Sequence, residues 1–161
     1  MALGAYLTLV AARQGPIRGS VTQKGRENKI QIIGVSHEIV CPRDPASGRP
    51  TGKRMHKPLV VTKQLDRSSP LLHQALTTNE NIVEAKIEFW TPSPTGQERQ
   101  HYTVRLVNAT ISGISFKLPN VRNPKLAKLT EYEDVSFTYQ KIEWTWTDGG
   151  LSAADDWETP R

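Results

Sequence analysis

The chain has a single cysteine and no long apolar run. Cys41 stands alone among the 161 residues, which excludes an intrachain disulfide. The longest apolar stretches, such as residues 7–12, have the length of a strand and fall far short of the roughly 18 residues of a membrane span. The first residues show no basic region followed by an apolar one, so no secretory signal is expected. We therefore expect assembly in the cytoplasm, no membrane insertion, and export only by a route that accepts folded protein.

The sequence also lacks the patterns that carry known chemistry. Its histidines are far apart along the chain and form no ligand pair, which argues against a metal site. There is no G-x-S-x-G motif and no glycine-rich phosphate loop, and neighbouring carboxylates such as Glu131 and Glu133 are common on solvated loops. The sequence therefore predicts a protein that is not an enzyme, with no catalytic residues, no metal site and no cofactor. The four histidines are His37, His56, His73 and His101.

Charge is distributed unevenly along the chain, whose formal net charge is +5. Residues 1–80 contain 12 Lys and Arg against 5 Asp and Glu, whereas residues 81–161 contain 9 against 11. The basic excess is concentrated between Cys41 and Lys57, and residues 148–161 are mainly acidic. Opposite charges at two ends of a subunit favour head-to-tail stacking of copies.

A partly basic, β-rich chain is also compatible with a monomeric OB-like nucleic-acid-binding module. Such a module would expose aromatic side chains among basic ones, but residues 42–55 contain no aromatic residue. Trp144 and Trp146 stand beside Glu143 and Asp148 instead. We therefore expect no nucleic-acid partner and keep this module as the alternative from a different functional class.

Alternation of apolar and polar residues predicts a mainly β fold. A long strand is predicted over residues 30–40, with a bulge or sharp bend at Gly34. One helix is predicted over about residues 69–78, with Ser69 as its cap and Pro70 in its first position. A long extended loop is predicted over about residues 42–55, a length that is usually functional or disordered.

Near the end of the chain the apolar alternation slips by one residue at Gln140–Lys141. Val135, Phe137 and Tyr139 share one face of the predicted strand, but Ile142, Trp144 and Trp146 share the other. Either a bulge restores the phase, or the strand buries one face within its own subunit and the other against a neighbour. No interdomain linker is visible, so residues 1–161 are expected to form a single domain with a polar tail over 148–161.

Several short segments form a recognisable set. The most specific is the run Thr-Gly-Lys-Arg-Met-His-Lys-Pro at 51–58, followed by Thr62-Lys63, Asp66 and Ser-Ser-Pro-Leu at 68–71. The strand Tyr-Gln-Lys-Ile-Glu-Trp-Thr-Trp at 139–146 and Asp-Gly at 148–149 belong to the same set, as do residues 6–9, 19–21 and 30–39 with His37. Taken in order, these segments resemble the haemolysin-coregulated protein (Hcp) family of type VI secretion systems.

The resemblance implies a closed or nearly closed β-barrel with one flanking α-helix, assembled as a homohexameric ring. Rings of this family stack into the inner tube of a contractile injection apparatus, which a sheath surrounds, a spike protein caps and effector proteins use for delivery. Expulsion of the tube would place the protein outside the producing cell. A phage-type tail tube subunit, related in architecture, is the alternative within the structural class.

The resemblance also gives the long loop a role, because the family associates this segment with ring stacking. The residues expected to act in stacking are Arg43, Asp44, Arg49, Lys53 and Arg54. Asp155, Asp156 and Trp157 are expected to make the contacts of the tail. Trp157 is expected to anchor on its own subunit, since large aromatic side chains usually find cover.

Overall fold

The structure is a computed structural model that describes residues 4–157. It confirms the predicted mainly β fold with one helix. The strands are β1 (Gly4–Ala11), β2 (Gly15–Ile17), β3 (Ile30–Ile32), β4 (Gly34–Ser36), β5 (Ile39–Val40), β6 (Met55–His56), β7 (Leu59–Gln64), β8 (Ile82–Pro92), β9 (Glu98–Lys117), β10 (Tyr132–Trp146) and β11 (Leu151–Asp156), and the helix is α1 (Ser69–Thr77).

One antiparallel sheet contains nine of these strands. Its main order is β2-β1-β8-β9-β10-β7-β4, with β3 pairing with β1 and β11 pairing with β10. The two remaining strands, β5 and β6, pair with each other and form the two arms of the long loop. The long loop therefore leaves the sheet as a small two-stranded ribbon.

The strand predicted over residues 30–40 is divided into three short strands, because this segment changes partner. Residues 30–32 pair with β1 at one end of the sheet order, and residues 34–36 pair with β7 at the other end. Between them the backbone N–H of Ile33 donates to the carbonyl of Thr62 at 2.8 Å. The same short segment therefore supplies backbone hydrogen bonds to both ends of the sheet.

The slip in the apolar alternation of β10 is corrected within the chain. Tyr139 and Ile142 both belong to one buried core cluster, although they lie on opposite phases of the strand. Opposite them on β9, Asn108 takes a left-handed φ of 50° and its side-chain amide donates to Gln140 at 3.0 Å. Asparagine tolerates this backbone region better than most residues. Because both strands change phase at the same level, their register is kept and the core stays on one face.

The N-cap of the helix lies one residue before the predicted cap. Ser68 occupies the N-cap position and Ser69 is the first helical residue, so Pro70, predicted in the first position, is the second residue of the first turn. The hydroxyl of Ser69 is held instead by buried charge: it donates to Glu133 at 2.9 Å and accepts from Lys63 at 3.1 Å. The prediction of Ser69 as the cap was therefore wrong, since its side chain serves a tertiary contact.

Lys63 and Glu133 form a fully buried ion pair between β7 and β10. The Lys63 ammonium lies 2.7 Å from Glu133 Oε1 and 3.1 Å from Asp66 Oδ1, and both members of the main pair have completely buried side chains. A buried pair of this kind contributes little net stability over a well-packed apolar pair, but losing one member leaves an uncompensated charge. This pair joins the sheet to the start of the helix.

We expect Lys63→Met to destabilise the fold by about 3–5 kcal/mol, because Glu133 would remain buried without its cation. The double variant Lys63→Met/Glu133→Leu should regain part of that loss, since the buried Glu133 charge is then absent and only Asp66, which is partly exposed, still lacks its contact with Lys63. Urea denaturation measures both. Lys57→Met, in the exposed pair with Glu38 at 3.1 Å, is the matched control and should cost less than about 1 kcal/mol. Equal losses of unfolding free energy in the single and double variants would contradict the conclusion that the unpaired Glu133 carboxylate causes the destabilisation.

Candidate assembly site at the base of the long loop

The tip of the long loop is an ordered turn built around Asp44. The carboxylate of Asp44 accepts from the hydroxyl of Ser47 at 2.7 Å and from the backbone N–H of Ala46 at 3.1 Å. The backbone N–H of Asp44 donates to the carbonyl of Arg49 at 2.8 Å, and Gly48 supplies the left-handed φ of 72° that closes the turn. Hydrogen bonding from Ser47 holds the pKa of Asp44 below its ordinary value. Asp44 therefore shapes the loop.

Three cations surround this turn. Arg43, Arg49 and Lys53 are exposed. Within residues 4–157 none of the three forms an ion pair with a carboxylate. The loop thus presents positive charge that no carboxylate of residues 4–157 neutralises.

Arg54 behaves differently, because it lies at the base of the loop and contacts the C-terminal strand. Its Nε and Nη2 atoms donate to the two carboxylate oxygens of Asp155 at 2.6 and 2.9 Å, and Nη2 also donates to the Asp156 carbonyl at 3.0 Å. This two-point geometry matches a planar guanidinium to a carboxylate and is among the stronger hydrogen-bonded ion pairs. The charge complementarity predicted between two ends of the chain is, for Arg54 and Asp155, present within one subunit.

A chain of three further side chains continues from Asp155 into the sheet. His56 Nε2 lies 2.7 Å from Asp155 Oδ2, and His56 Nδ1 lies 2.7 Å from the hydroxyl of Tyr139. The same hydroxyl lies 2.8 Å from His37 Nε2. The His56 side chain is only 1% exposed. We call Arg54, Asp155, His56, Tyr139 and His37 the loop-base network.

Trp157 covers this network from the end of β11. Its indole N–H donates to the carbonyl of Tyr139, its backbone N–H donates to the carbonyl of Gln140 at 3.3 Å, and its ring lies 5.9 Å from the His56 ring. The side chain contacts its own subunit while remaining 41% exposed. Asp156, the residue before it, accepts from the side-chain amide of Gln140 at 3.3 Å.

The electrostatics of the network favour a charged Asp155 and a neutral His37. The hydrogen bonds from Arg54 are the main reason why the pKa of Asp155 is lowered from 3.8. Burial, reinforced by the nearby His56, lowers the pKa of His37 from 6.5. Burial also raises the pKa of the Tyr139 phenol, so its hydroxyl keeps its proton throughout the physiological range.

Sequence reasoning located the loop and the tail but missed the histidines and Tyr139. Of the predicted residues, the structure brings Arg54 and Asp155 together, with Asp156 and Trp157 beside them. His37 and His56 seemed unrelated because they meet only through a hydroxyl that lies 102 and 83 positions away along the chain. The slip in alternation next to Tyr139 was the one available signal that this strand position is unusual.

Two kinds of feature are absent from the described residues, a metal-binding cluster and a membrane-spanning helix. Between residues 4 and 157 no group of three or more His, Cys, Asp or Glu side chains is arranged to hold a metal ion. In the same range no helix combines the length and apolarity needed to cross a bilayer.

Comparison with known proteins decides the family. A family model described as "Type VI secretion system effector, Hcp" matches residues 6–146. The major exported protein of Pseudomonas aeruginosa is 40% identical over 169 residues, covering 99% of this chain and 98% of that protein. The chain belongs to the Hcp family. A crystal structure of an Hcp protein has a TM-score of 0.92 at 32% identity, covering 99% of this chain and 100% of that one. The secreted protein Hcp3 of Pseudomonas aeruginosa has a TM-score of 0.81 at 32% identity, covering 98% and 100%.

The Hcp family model ends at Trp146, before β11. Asp155 and Trp157 therefore lie outside the segment that the family model matches, although the alignment with the major exported protein covers 99% of this chain. The loop-base network thus joins residues within the family match to residues beyond it.

We expect Asp155→Asn to be less stable than the parent near neutral pH, because Arg54 loses its anionic partner. The lowered pKa means that the folded protein releases the Asp155 proton more readily than the unfolded chain. This stabilisation is therefore present above the ordinary value of 3.8 and lost as the pH falls through the lowered pKa.

Urea denaturation of both proteins across this range should show their stability gap shrinking in acid. Asp148→Asn, in the exposed pair with Arg99 at 2.9 Å, is the control and should show little gap at any pH. A gap for Asp155→Asn that persists unchanged below the pKa would contradict the assignment.

Proposed function

We propose that this chain is the inner tube subunit of a type VI secretion apparatus, in which six copies close into a ring and rings stack into a passive conduit. The observation that carries the proposal is membership of the Hcp family over residues 6–146, together with a TM-score of 0.92 to an Hcp crystal structure. In this role the protein has no catalytic activity and no cofactor. It assembles in the cytoplasm and leaves the cell with the expelled tube, and its partners are a sheath, a spike protein and the effectors that it carries.

Within the subunit, we propose that residues 30–36 close the sheet into a barrel and that residues 1–161 form one domain. Support for the barrel comes from the hydrogen bonding of this segment to β1 on one side and to β7 on the other. Support for one domain comes from the core cluster, which draws on strands from Leu7 to Ile142 and on the helix. A barrel buries most strand edges, so the few that remain open become the natural sites of subunit contact.

Two features support lateral contact between copies. The strand β11 pairs only with β10 among the described residues, and Leu151 at its start is 70% exposed. On another part of the surface, Ile33 is 58% exposed beside an apolar groove of about 500 Å³ lined by Phe89, Trp90 and the start of β1. Exposed apolar surface next to a free strand edge is typical of protein–protein interfaces.

For stacking, we propose that the tip and the base of the long loop have different roles. Arg43, Arg49 and Lys53 would contact the next ring, since their charges are exposed and pair with no carboxylate among the described residues. Asp44 would shape the tip that carries them. Arg54 would hold the base, and Asp155, Asp156 and Trp157 would act mainly as its support within the subunit.

The oligomeric state is the first expected outcome. Light scattering on the purified chain should give a mass about six times that of the 18.0 kDa subunit, with annular particles in electron micrographs. A stable monomer at high concentration that also retards single-stranded oligonucleotides in a gel would contradict the proposal and favour the nucleic-acid-binding alternative.

The double variant Arg49→Glu/Lys53→Glu should weaken ring stacking while leaving rings intact, because it reverses charge at the tip without touching Arg54. Sedimentation of tubes, measured at several salt concentrations, reports the effect. It should be largest at low salt, since the screening length is about 10 Å at 0.1 M and shorter above it.

The control is Arg122→Glu/Lys125→Glu, which makes the same change of charge in the exposed loop between β9 and β10. This control should sediment like the parent. Tubes that form as readily from the Arg49→Glu/Lys53→Glu variant as from the parent at low salt would refute the electrostatic contribution of the tip.

A further inference from the structure

Both arms of the long loop are fixed to the same hydroxyl group. His37 lies two residues before the outgoing arm, β5, and His56 ends the returning arm, β6. Their imidazole nitrogens lie 2.8 and 2.7 Å from Tyr139 OH. Because Tyr139 belongs to β10, this one side chain sets the position of the loop relative to the sheet.

The C-terminal strand reaches the same point from the other direction. Along one edge of β10, residues 132–137 pair with β7 and residues 141–146 pair with β11. The interval between the two partners contains Tyr139. The end of β11 therefore meets the base of the loop there, and Asp155 contacts both Arg54 and His56.

We infer that His37, Tyr139, His56 and Asp155 are positioning residues for the long loop, and that mild acid releases the outgoing arm by protonating His37. The first part concerns the subunit alone. The consequence for ring stacking, a loss of tubes in mild acid, rests on the proposed function of the loop.

Counting protons shows that neutral histidines satisfy every hydrogen bond of the network. The Asp155 carboxylate only accepts, so His56 Nε2 must carry a hydrogen, and a neutral His56 then offers Nδ1 as an acceptor. Tyr139 donates its single proton to that nitrogen and accepts from His37 Nε2. Every bond in this arrangement has one donor and one acceptor, and none of its buried side-chain atoms is without a partner.

A proton added to His37 places a positive charge in this arrangement. The hydrogen bond itself can be kept, because Nε2–H of His37 still donates to the Tyr139 oxygen, so the cost of the proton is electrostatic. Asp155 contacts His56 at 2.7 Å, but no carboxylate contacts His37 among the hydrogen bonds and ion pairs of residues 4–157. His37 is therefore the member that acid displaces, and the outgoing arm moves with it.

The surrounding charges do not reverse this conclusion. Arg54 already donates two hydrogen bonds to Asp155. The negative charge of that carboxylate is therefore partly balanced and attracts a second cation less strongly. Glu38 is paired with Lys57 at 3.1 Å in an exposed position. The titratable and charged groups around the two histidines, from every element that contacts them, are Arg54, Lys57, Glu38, Cys41, Tyr139, Asp155 and Asp156.

The direction of the pH dependence follows from His37. Burial and the neighbouring His56 lower its pKa from 6.5, so the folded loop base binds this proton less readily than an open one. The contribution of neutral His37 to the stability of the closed loop base is complete above pH 6.5. It is lost as the pH falls through the lowered pKa of His37.

The test compares the full-length parent with His37→Gln, whose amide can still donate to Tyr139 but does not titrate. Hydrogen exchange, corrected for the pH dependence of intrinsic rates, is measured at residues 37–40 and 55–57 at about pH 7.5 and about pH 5, on either side of the ordinary histidine range. We expect the parent to lose protection in acid and His37→Gln to keep it. His73→Gln, a change in the helix away from the network, is the matched control and should behave like the parent.

Tyr139→Phe provides a second readout should His37→Gln fold poorly. Without the hydroxyl, protection of both arms should already be low at the higher pH and should change little on acidification. Unchanged protection in the parent between the two pH values, or an equal loss in the parent and His37→Gln, would overturn the inference.

Sedimentation of tubes over the same pH range separates this inference from the proposed function. Loss of tubes in acid for the parent but not for His37→Gln supports both. Acid-dependent exchange in a protein that never forms tubes supports the positioning network and refutes the role of the loop in stacking.

Discussion

The fold depends on a few backbone hydrogen bonds made by residues 30–36. This segment binds β1 with its first half and β7 with its second, so it joins two strands that stand at opposite ends of the sheet order. Without that double pairing β1 and β7 would each present an open edge, which is a template for uncontrolled association. With it, the long loop leaves the subunit from a fixed place, directly after the segment that completes the sheet.

In the proposed assembly, a long loop whose tip cations have no carboxylate partner among residues 4–157 would need a rigid base. Ordering flexible residues at the moment of contact costs conformational entropy, so a loop already fixed in place binds more favourably. In this chain the fixing is done by groups that are remote in sequence: Asp155 and Trp157 from the C-terminal segment and Tyr139 from β10. The tip of the loop therefore carries exposed charge, whereas the base of the loop is held by buried contacts.

The strands, the helix and the long loop could be predicted because local patterns determine them. Alternation of apolar residues fixes strand faces, and Pro70 marks the first turn of the helix. The failures occur where a distant partner overrides a local pattern. Residues 30–40 change partner midway, the hydroxyl of Ser69 binds the buried Glu133, and the slip at Gln140 is matched by Asn108 across the sheet. The loop-base network was hidden for the same reason, since no spacing rule connects His37, His56 and Tyr139.

Charge asymmetry in a sequence gives the sign of each end but not the copy in which the charges meet. Arg54 and Asp155 meet within one subunit, and the exposed Asp148 is paired with Arg99. Glu143 likewise lies between Arg105 and Lys141. Most carboxylates of residues 81–157 are thus paired within the subunit, although the exposed Glu131 forms no ion pair with another described residue. In the proposed stack, Arg43, Arg49 and Lys53 would therefore contact Glu131, share a carboxylate or bind backbone carbonyls on a neighbouring ring. Contacts of that kind are individually weak, which suits an assembly whose strength comes from repeating them around a ring.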